Sequence, residues 1–287
     1  QGLDVPARRG PILDRNENPL AASAESYDVG VAPRELRAEV RDSVVALLAS
    51  ELDLTAKTRR ALTDPDRVWV EIKGGFPPRI RESLGSIQGV YLKRGWRRHR
   101  PYGSLARDVL GSVQDESGRG GIEGRLDQHL RGAPGREVQV RDSRMNPLPG
   151  QTLQVEPPVP GGSVVLTLDR DLQEIGHEAL SQAISETGAR GGNLIVSDPE
   201  TGEILSMVSL QDGKPGNLSA INSPFEPGST LKPFTVASVL LHSVASLADS
   251  VDGEKGYWVA GGRPLRDVHA YGMMTLADAL RVSSNIG

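Results

Sequence analysis

Ser229 and Lys232 stand in the segment Phe225-Glu226-Pro227-Gly228-Ser229-Thr230-Leu231-Lys232-Pro233-Phe234. A serine hydroxyl is a poor nucleophile until a base removes its proton. A lysine amine can be that base when burial or nearby positive charge keeps it neutral. Pro227-Gly228 reads as a turn delivering Ser229 to the first turn of an apolar helix that runs to about Ser243. Residues three apart share a helix face, so the spacing puts amine and hydroxyl within reach of each other. The helix N-terminus also favours negative charge developing near Ser229. Alone, Ser-x-x-Lys is a weak signal, because a serine N-cap followed by a solvated lysine has the same pattern. Further along, Val282-Ser283-Ser284-Asn285-Ile286-Gly287 places a Ser-x-Asn at the end of a helix predicted from Thr275 to about Ser283. Ser283 and Asn285 there could complete a polar cluster around Ser229 and Lys232. Read alone, they are small polar residues capping a helix C-terminus.

The elements that must position these residues fall in a chain of 287 residues, about two domains' worth. Hydrophobic residues are 37% and charged residues 24%, enough apolar material for real cores. A net charge of −4 and 4% aromatics argue against a nucleic-acid binder. The absence of cysteine excludes disulfides, thiolate zinc sites and cysteine nucleophiles. The five histidines, at 99, 129, 177, 242 and 269, form no pair with metal-ligand spacing, and no P-loop pattern occurs. No metal or cofactor is expected. The densest apolar run, Val44 to Ala49, is far too short to span a membrane. The chain starts at Gln1 rather than Met, so a leader or anchor removed from the N-terminus is expected.

Residues 1–160 read as irregular, with a helix over Arg34 to Leu52, a shorter one over Ile122 to Leu130 and a strand over Glu137 to Arg141. Pro157-Pro158-Val159-Pro160-Gly161-Gly162 is the strongest punctuation, and the domain boundary is set there, giving domains 1–160 and 161–287. The second half predicts a strand at Ser163–Leu168, a helix from Asp169 to Ser185, and strands at Asn193–Ser197 and Glu203–Val208. Pro199-Glu200-Thr201-Gly202 between those strands predicts a hairpin. The fold class is α+β. The basic run Lys93 to Arg100 reads as a solvated strand or loop edge.

Several ordered segments resemble class B penicillin-binding proteins. Arg9-Gly10-Pro11-Ile12-Leu13-Asp14-Arg15 with Leu20-Ala21 resembles a signature at the base of that family's non-catalytic pedestal. Gly121-Ile122-Glu123, Asp127, Leu130, Gly132 and Gly135 resemble a second pedestal segment. Thr167-Leu168-Asp169 with Leu172-Gln173, and Asp198 with Thr201–Leu205 and Met207, resemble the entry and hairpin of the transpeptidase domain. The Ser-x-x-Lys plus Ser-x-Asn combination completes the likeness. The resemblance implies an irregular N-terminal pedestal for dimerisation or partner docking, followed by part of a serine β-lactamase-like transpeptidase domain. Phe225-Glu226-Pro227-Gly228 is closer to the septal, cell-division branch.

The likeness implies roles residue by residue. Ser229 would attack the penultimate D-Ala carbonyl of a peptidoglycan stem peptide, and Lys232 would accept its proton. Ser283 would relay a proton to the departing amine. Asn285 would orient Lys232 and bind the substrate amide. β-Lactam antibiotics would acylate Ser229. The implied partners are D-Ala-D-Ala stem peptides, β-lactams, a polytopic membrane glycan polymerase and division proteins, with no nucleic acid. The implied location is the extracytoplasmic face of the bacterial inner membrane. The family's third motif, Lys-[Ser/Thr]-Gly, is absent from the sequence. A fragment, inactive on its own, is therefore expected. Two readings stand beside this one: a non-catalytic scaffold of the cell-wall complex, and a β-lactam sensor or β-lactamase relative.

Overall fold

The structure is a computed structural model describing residues 2–51, 54–141, 147–212, 214–215 and 218–287. It is a mixed helix and strand fold that divides into two compact units, Gln1–Ser223 and Pro224–Gly287.

The first unit begins β1 (Gly2–Val5), β2 (Ile12–Leu13), β3 (Pro19–Val31), α1 (Ala38–Glu51), α2 (Ala56–Thr63), β4 (Val70–Phe76), α3 (Ile80–Leu84) and β5 (Val90–His99). Strand β3 is the spine, pairing antiparallel with β2, β4 and β5. Its alternating Tyr27, Val29 and Val31 meet Ile72 and Phe76 of β4, Val44 and Leu48 of α1, and Ile80 and Leu84 of α3 in one core. Helix α1 starts at Ala38, not Arg34. The Arg41 guanidinium reaches back to the Pro33 and Leu36 carbonyls at 3.3 Å each, and the Pro33 carbonyl also accepts the Leu36 N–H at 3.3 Å in a tighter i to i+3 turn, so the chain before Ala38 is turn rather than α-helix. The expected helix end at Leu52 lies outside the described residues.

Next come α4 (Arg107–Leu110), β6 (Ser112–Gln114), β7 (Ser117–Arg119), α5 (Gly121–Arg125), α6 (Asp127–Arg131), β8 (Gly135–Arg141) and β9 (Pro147–Glu156). The single helix expected over 122–130 is therefore two, broken at Leu126 (φ −108°). Arg9 explains the break. Its Nη2 donates to the Glu123 carbonyl at 3.0 Å, an oxygen a continuous helix would offer to the Asp127 N–H. Its Nε and Nη1 donate to the Glu123 and Asp127 carboxylates, both at 2.7 Å. Arg98 of β5 donates to the other Glu123 oxygen at 2.6 Å. The basic run is thus not wholly a solvated edge, for Arg98 is drawn inside by a carboxylate that is 0% exposed.

The first unit closes with β10 (Val164–Val165), α7 (Arg170–Thr187), β11 (Gly191–Ser197), β12 (Ile204–Gln211), β13 (Lys214–Pro215) and α8 (Ser219–Asn222). The strand expected over 163–168 shortens to β10 because its parallel partner β2 ends at Leu13. There the Asp14 carboxylate accepts the Asn16 and Asn18 N–H groups at 2.8 and 2.7 Å and turns the chain. The other Asp14 oxygen accepts the Arg170 N–H at the start of α7. Asp169 caps the same helix through the Asp171 and Leu172 N–H groups. The chain crosses itself closely here: a Cβ on Gly10 would lie 1.8 Å from the Gly162 carbonyl oxygen, and one on Gly161 equally close to that of Leu130. The β11–β12 hairpin forms where expected, its turn organised by Asp198 accepting the Glu200 and Thr201 N–H groups.

In the second unit a 3-10 turn (Gly228–Leu231) leads into α9 (Lys232–Leu241). After it come β14 (Ser250–Asp252), β15 (Tyr257–Ala260), β16 (Arg263–Arg266), β17 (Met273–Thr275) and α10 (Leu276–Arg281). β14 pairs with β17 and β15 with β16, both antiparallel. Among the described residues no helix is long and apolar enough to cross a membrane.

Candidate active site

Ser229 lies in the 3-10 turn, one residue after Gly228, whose φ of +54° is left-handed backbone that suits glycine. The α-helix was expected to begin at Ser229 but begins at Lys232, and Pro233 supplies the reason. An α-turn would need an N–H at 233 to meet the Ser229 carbonyl, and proline has none. The Lys232 N–H meets that carbonyl instead, closing an i to i+3 turn. Proline is tolerated in the first turn of α9, where its missing donor costs nothing.

The Ser-x-Asn segment follows α10, which Thr275 caps through the Asp278 N–H. Ser283 has φ +55°, an uncommon conformation for a residue with a side chain. This turn brings three oxygens onto the Lys232 amine. Its Nζ donates to the Ser283 carbonyl at 2.5 Å, to Ser283 Oγ at 3.1 Å and to Asn285 Oδ1 at 2.9 Å. Lys232, Ser283 and Asn285 therefore meet. Ser229 does not join them by a hydrogen bond among the described residues. An ammonium has three donors, and all of them are engaged by the Ser-x-Asn turn. The Ser229 hydroxyl is exposed on the adjacent turn.

One carboxylate at this site was not singled out in the sequence. Asp267, just past β16, accepts from Ser284 Oγ at 2.5 Å, from the Asn285 N–H at 2.5 Å and from the Ile286 N–H at 3.4 Å. Burial pushes its carboxyl up. The Ser284 hydroxyl, the Asn285 and Ile286 N–H groups and the Lys232 charge outweigh that and hold it below the usual carboxylate value. Arg266 contributes its carbonyl, which accepts from Asn285 Nδ2 at 2.9 Å. Nothing local marks Asp267, because its partners are 17 to 19 residues away. Among the described residues no group of three or more His, Asp or Glu stands together to hold a metal.

Chemically, the site offers an amine held among a hydroxyl, a carboxamide and a carbonyl, next to an exposed serine at a helix start. Comparison with known proteins gives it a context. Residues 4–166 match the penicillin-binding protein dimerisation domain, and residues 192–287 match the penicillin-binding protein transpeptidase domain. The chain is 28% identical over 298 residues to the probable peptidoglycan D,D-transpeptidase PenA of Neisseria meningitidis, covering 99% of this chain and 51% of that protein. It is 28% identical over 301 residues to the peptidoglycan D,D-transpeptidase FtsI of Escherichia coli K12, covering 99% and 50%. The crystal structure of penicillin-binding protein 2X from Streptococcus thermophilus superposes with a TM-score of 0.76 at 20% identity, over 100% of this chain and 49% of that one, a likeness of fold. The chain thus spans about half the length of the curated relatives it matches. With more than half of its residues matching the dimerisation domain and most of the rest the transpeptidase domain, this chain belongs to the penicillin-binding protein family.

Proposed function

We propose that this chain is part of a peptidoglycan D,D-transpeptidase that works through an acyl-enzyme at Ser229. The Ser229 hydroxyl attacks the carbonyl of the penultimate D-Ala of a stem peptide, and its proton passes to the Lys232 amine. The C–N bond to the terminal D-Ala breaks, and Ser283 relays a proton to the departing amine. Asn285 holds Lys232 and hydrogen-bonds the substrate amide. The Ser229 N–H, at the start of a helix, serves as one donor to the developing oxyanion. The amine of a second stem peptide then takes the acyl group, forming the cross-link and freeing Ser229. A β-lactam enters the same path and stays on the serine.

The observation that carries this reading is the convergence of Lys232 on Ser283 and Asn285. To accept that proton the amine acts in its neutral form, with two donors and one lone pair, so one of the three Lys232 contacts is given up and the lone pair faces Ser229. The reading extends to a septal role, supported by the Phe225-Glu226-Pro227-Gly228 likeness, and to action on the outer face of the inner membrane. It also takes residues 1–160 as the pedestal that docks a glycan polymerase and division proteins, and 161–287 as transpeptidase.

Labelling with a fluorescent penicillin tests the chemistry in the intact protein. One label per molecule is expected, mapping to Ser229 by peptide mass analysis and absent from Ser229→Ala. A label on any other residue, or Ser229→Ala labelled at the wild-type rate, would overturn the assignment.

A further inference from the structure

The sheet of the first unit has a notch beside β3. Strand β4 pairs with β3 from Val31 down to Tyr27, which lies opposite Phe76. The next two residues, Pro77 and Pro78, have no N–H to continue the ladder. Just before them the Gly74 and Gly75 N–H groups already turn to the Asp28 carboxylate, at 3.2 and 3.4 Å. Among the described residues, Ala24, Glu25 and Ser26 therefore pair with β5 alone. The missing strand leaves a cleft of about 710 Å³ between these residues, Pro77-Pro78 and residues 97–100 at the end of β5.

The charge around this cleft is one-sided. Arg97, Arg98 and Arg100 line it, and Glu25 is the acidic residue among its walls. Glu25 is committed elsewhere, to the Tyr27 hydroxyl at 2.7 Å and to Arg94 at 3.1 Å. The buried Glu123 has both oxygens taken, by Arg9 and Arg98. Arg98, its side chain 10% exposed, uses Nε on Glu123 and Nη1 on the Gly10 carbonyl at 2.8 Å, and its Nη2 is buried with no acceptor. Arg100 donates to the Gly111 carbonyl, and its Nε is likewise buried with no acceptor. Burial pushes the Arg100 guanidinium below its ordinary value and the Arg107 charge adds to this, with Glu123 pulling the other way. Buried donors without acceptors are rare in folded proteins, and a bound anion is one thing that answers them.

The two features point to one kind of ligand. An oxyanion supplies acceptors and negative charge to the arginines, whose planar forks suit a carboxylate. A strand edge with no neighbour pairs with an extended main chain. A free inorganic anion would use the arginines and leave the edge unpaired. We propose that this cleft docks an extended acidic segment of a partner protein, which adds a short strand beside Ala24–Ser26 and sets an aspartate or glutamate carboxylate against Arg97, Arg98 and Arg100. This deepens the reading of residues 1–160 as a docking domain and does not depend on the chemistry at Ser229.

The test is fluorescence anisotropy of a labelled Thr-Glu-Thr-Glu-Thr peptide with the intact protein. Saturable one-to-one binding is expected. Changing both glutamates to glutamine, or methylating the backbone nitrogens, should each weaken it about tenfold. Arg97→Ala and Arg100→Met should do the same, with thermal midpoints within about 2 °C of wild type. Arg131→Ala, which removes an exposed charge outside the cleft, should bind within about twofold of wild type. No binding by wild type, or wild-type affinity in both Arg97→Ala and Arg100→Met, overturns the site. If Arg100→Met does not fold, the exposed Arg97 decides alone through Arg97→Ala. Undiminished binding of the methylated peptide overturns strand addition. Inorganic phosphate or phosphatidylglycerol vesicles bound in place of the peptide, and lost in Arg97→Ala, overturn the peptide assignment in favour of a free anion or a membrane surface. Penicillin labelling of the same preparations reports on Ser229 separately, so a failure here and a failure of the transpeptidase reading are told apart.

Discussion

The molecule holds two polar clusters built on opposite plans. In the first unit, Arg9 and Arg98 close on a fully buried Glu123, both of whose oxygens are paired to guanidinium groups, with the half-buried Asp127 beside them. In the second, Lys232, Ser283 and Asn285 gather at an open surface around one amine. Buried charges must be paired, because each would otherwise sit desolvated in a low-dielectric interior. The first cluster is therefore closed, and it fixes where β5, α5 and α6 meet. The second keeps its amine and hydroxyl near solvent, where a substrate can reach them and where a proton can change hands. One is architecture and the other is available for chemistry, and the difference can be read from exposure and pairing alone.

Mutations at the two clusters should separate along that line. The largest effect is expected from Lys232→Ala, which should slow penicillin acylation by about 10⁴-fold, as loss of one member of a catalytic unit does, while the thermal midpoint moves by less than about 2 °C. A large drop in midpoint would place Lys232 with the architectural cluster instead. Glu123→Ala should do the reverse. It leaves Arg98 with only the Gly10 carbonyl and Arg9 with Asp127 alone among carboxylates, and should cost about 3–5 kcal/mol in denaturant unfolding, with the acylation rate per folded molecule unchanged. Stability equal to wild type would break the comparison.

Asp14 gives a smaller, pH-dependent effect. Burial pushes its carboxyl up, but the hydrogen bonds from Asn18, Arg170 and Asn16 outweigh that and hold it below its ordinary 3.8. A carboxyl whose folded value is lowered contributes stability that is complete above its unfolded value and lost as pH falls through the folded one. Acidification below about pH 4 should therefore weaken the first unit. Asp14→Asn should lower stability at pH 7 by about 1–3 kcal/mol and flatten that acid slope. An unchanged slope in urea titrations between neutral and acid pH would rule it out. The smallest effect is expected from Arg131→Ala. Its ion pair with Asp127 leaves the arginine side chain 50% exposed, so about 0.2–1 kcal/mol should be lost, and less in high salt. A larger, salt-insensitive loss would extend the buried network to Arg131.

Legibility in the sequence followed the range of the interactions. Helix α7 was readable because its signals are local: Asp169 as cap, then an apolar face at helical spacing. The β11–β12 hairpin was readable from Asp198 to Gly202 for the same reason. The segment 122–130 reads as one continuous helix because the group that breaks it, Arg9, is 114 residues away from Glu123. Arg98 reads as one more cation in a basic run until its partner Glu123 is placed beside it in space. Asp267 carries no local signal, because a lone aspartate at a strand end has no pattern until the Ser-x-Asn turn folds against it.

The sequence by itself determined the order of the segments, the family they resemble and the residue types at the candidate site. It also favoured the 3-10 turn at Ser229, since Pro233 lacks the N–H an α-turn needs. Tertiary structure decided which groups meet. It brought Lys232 to Ser283 and Asn285 across 51 to 53 residues, engaged all three of its donors there, and left Ser229 outside that set. The physical reason is that hydrogen bonds and ion pairs act over about 3 Å, so a contact between distant residues exists only once the packing of the elements between them has fixed their distance.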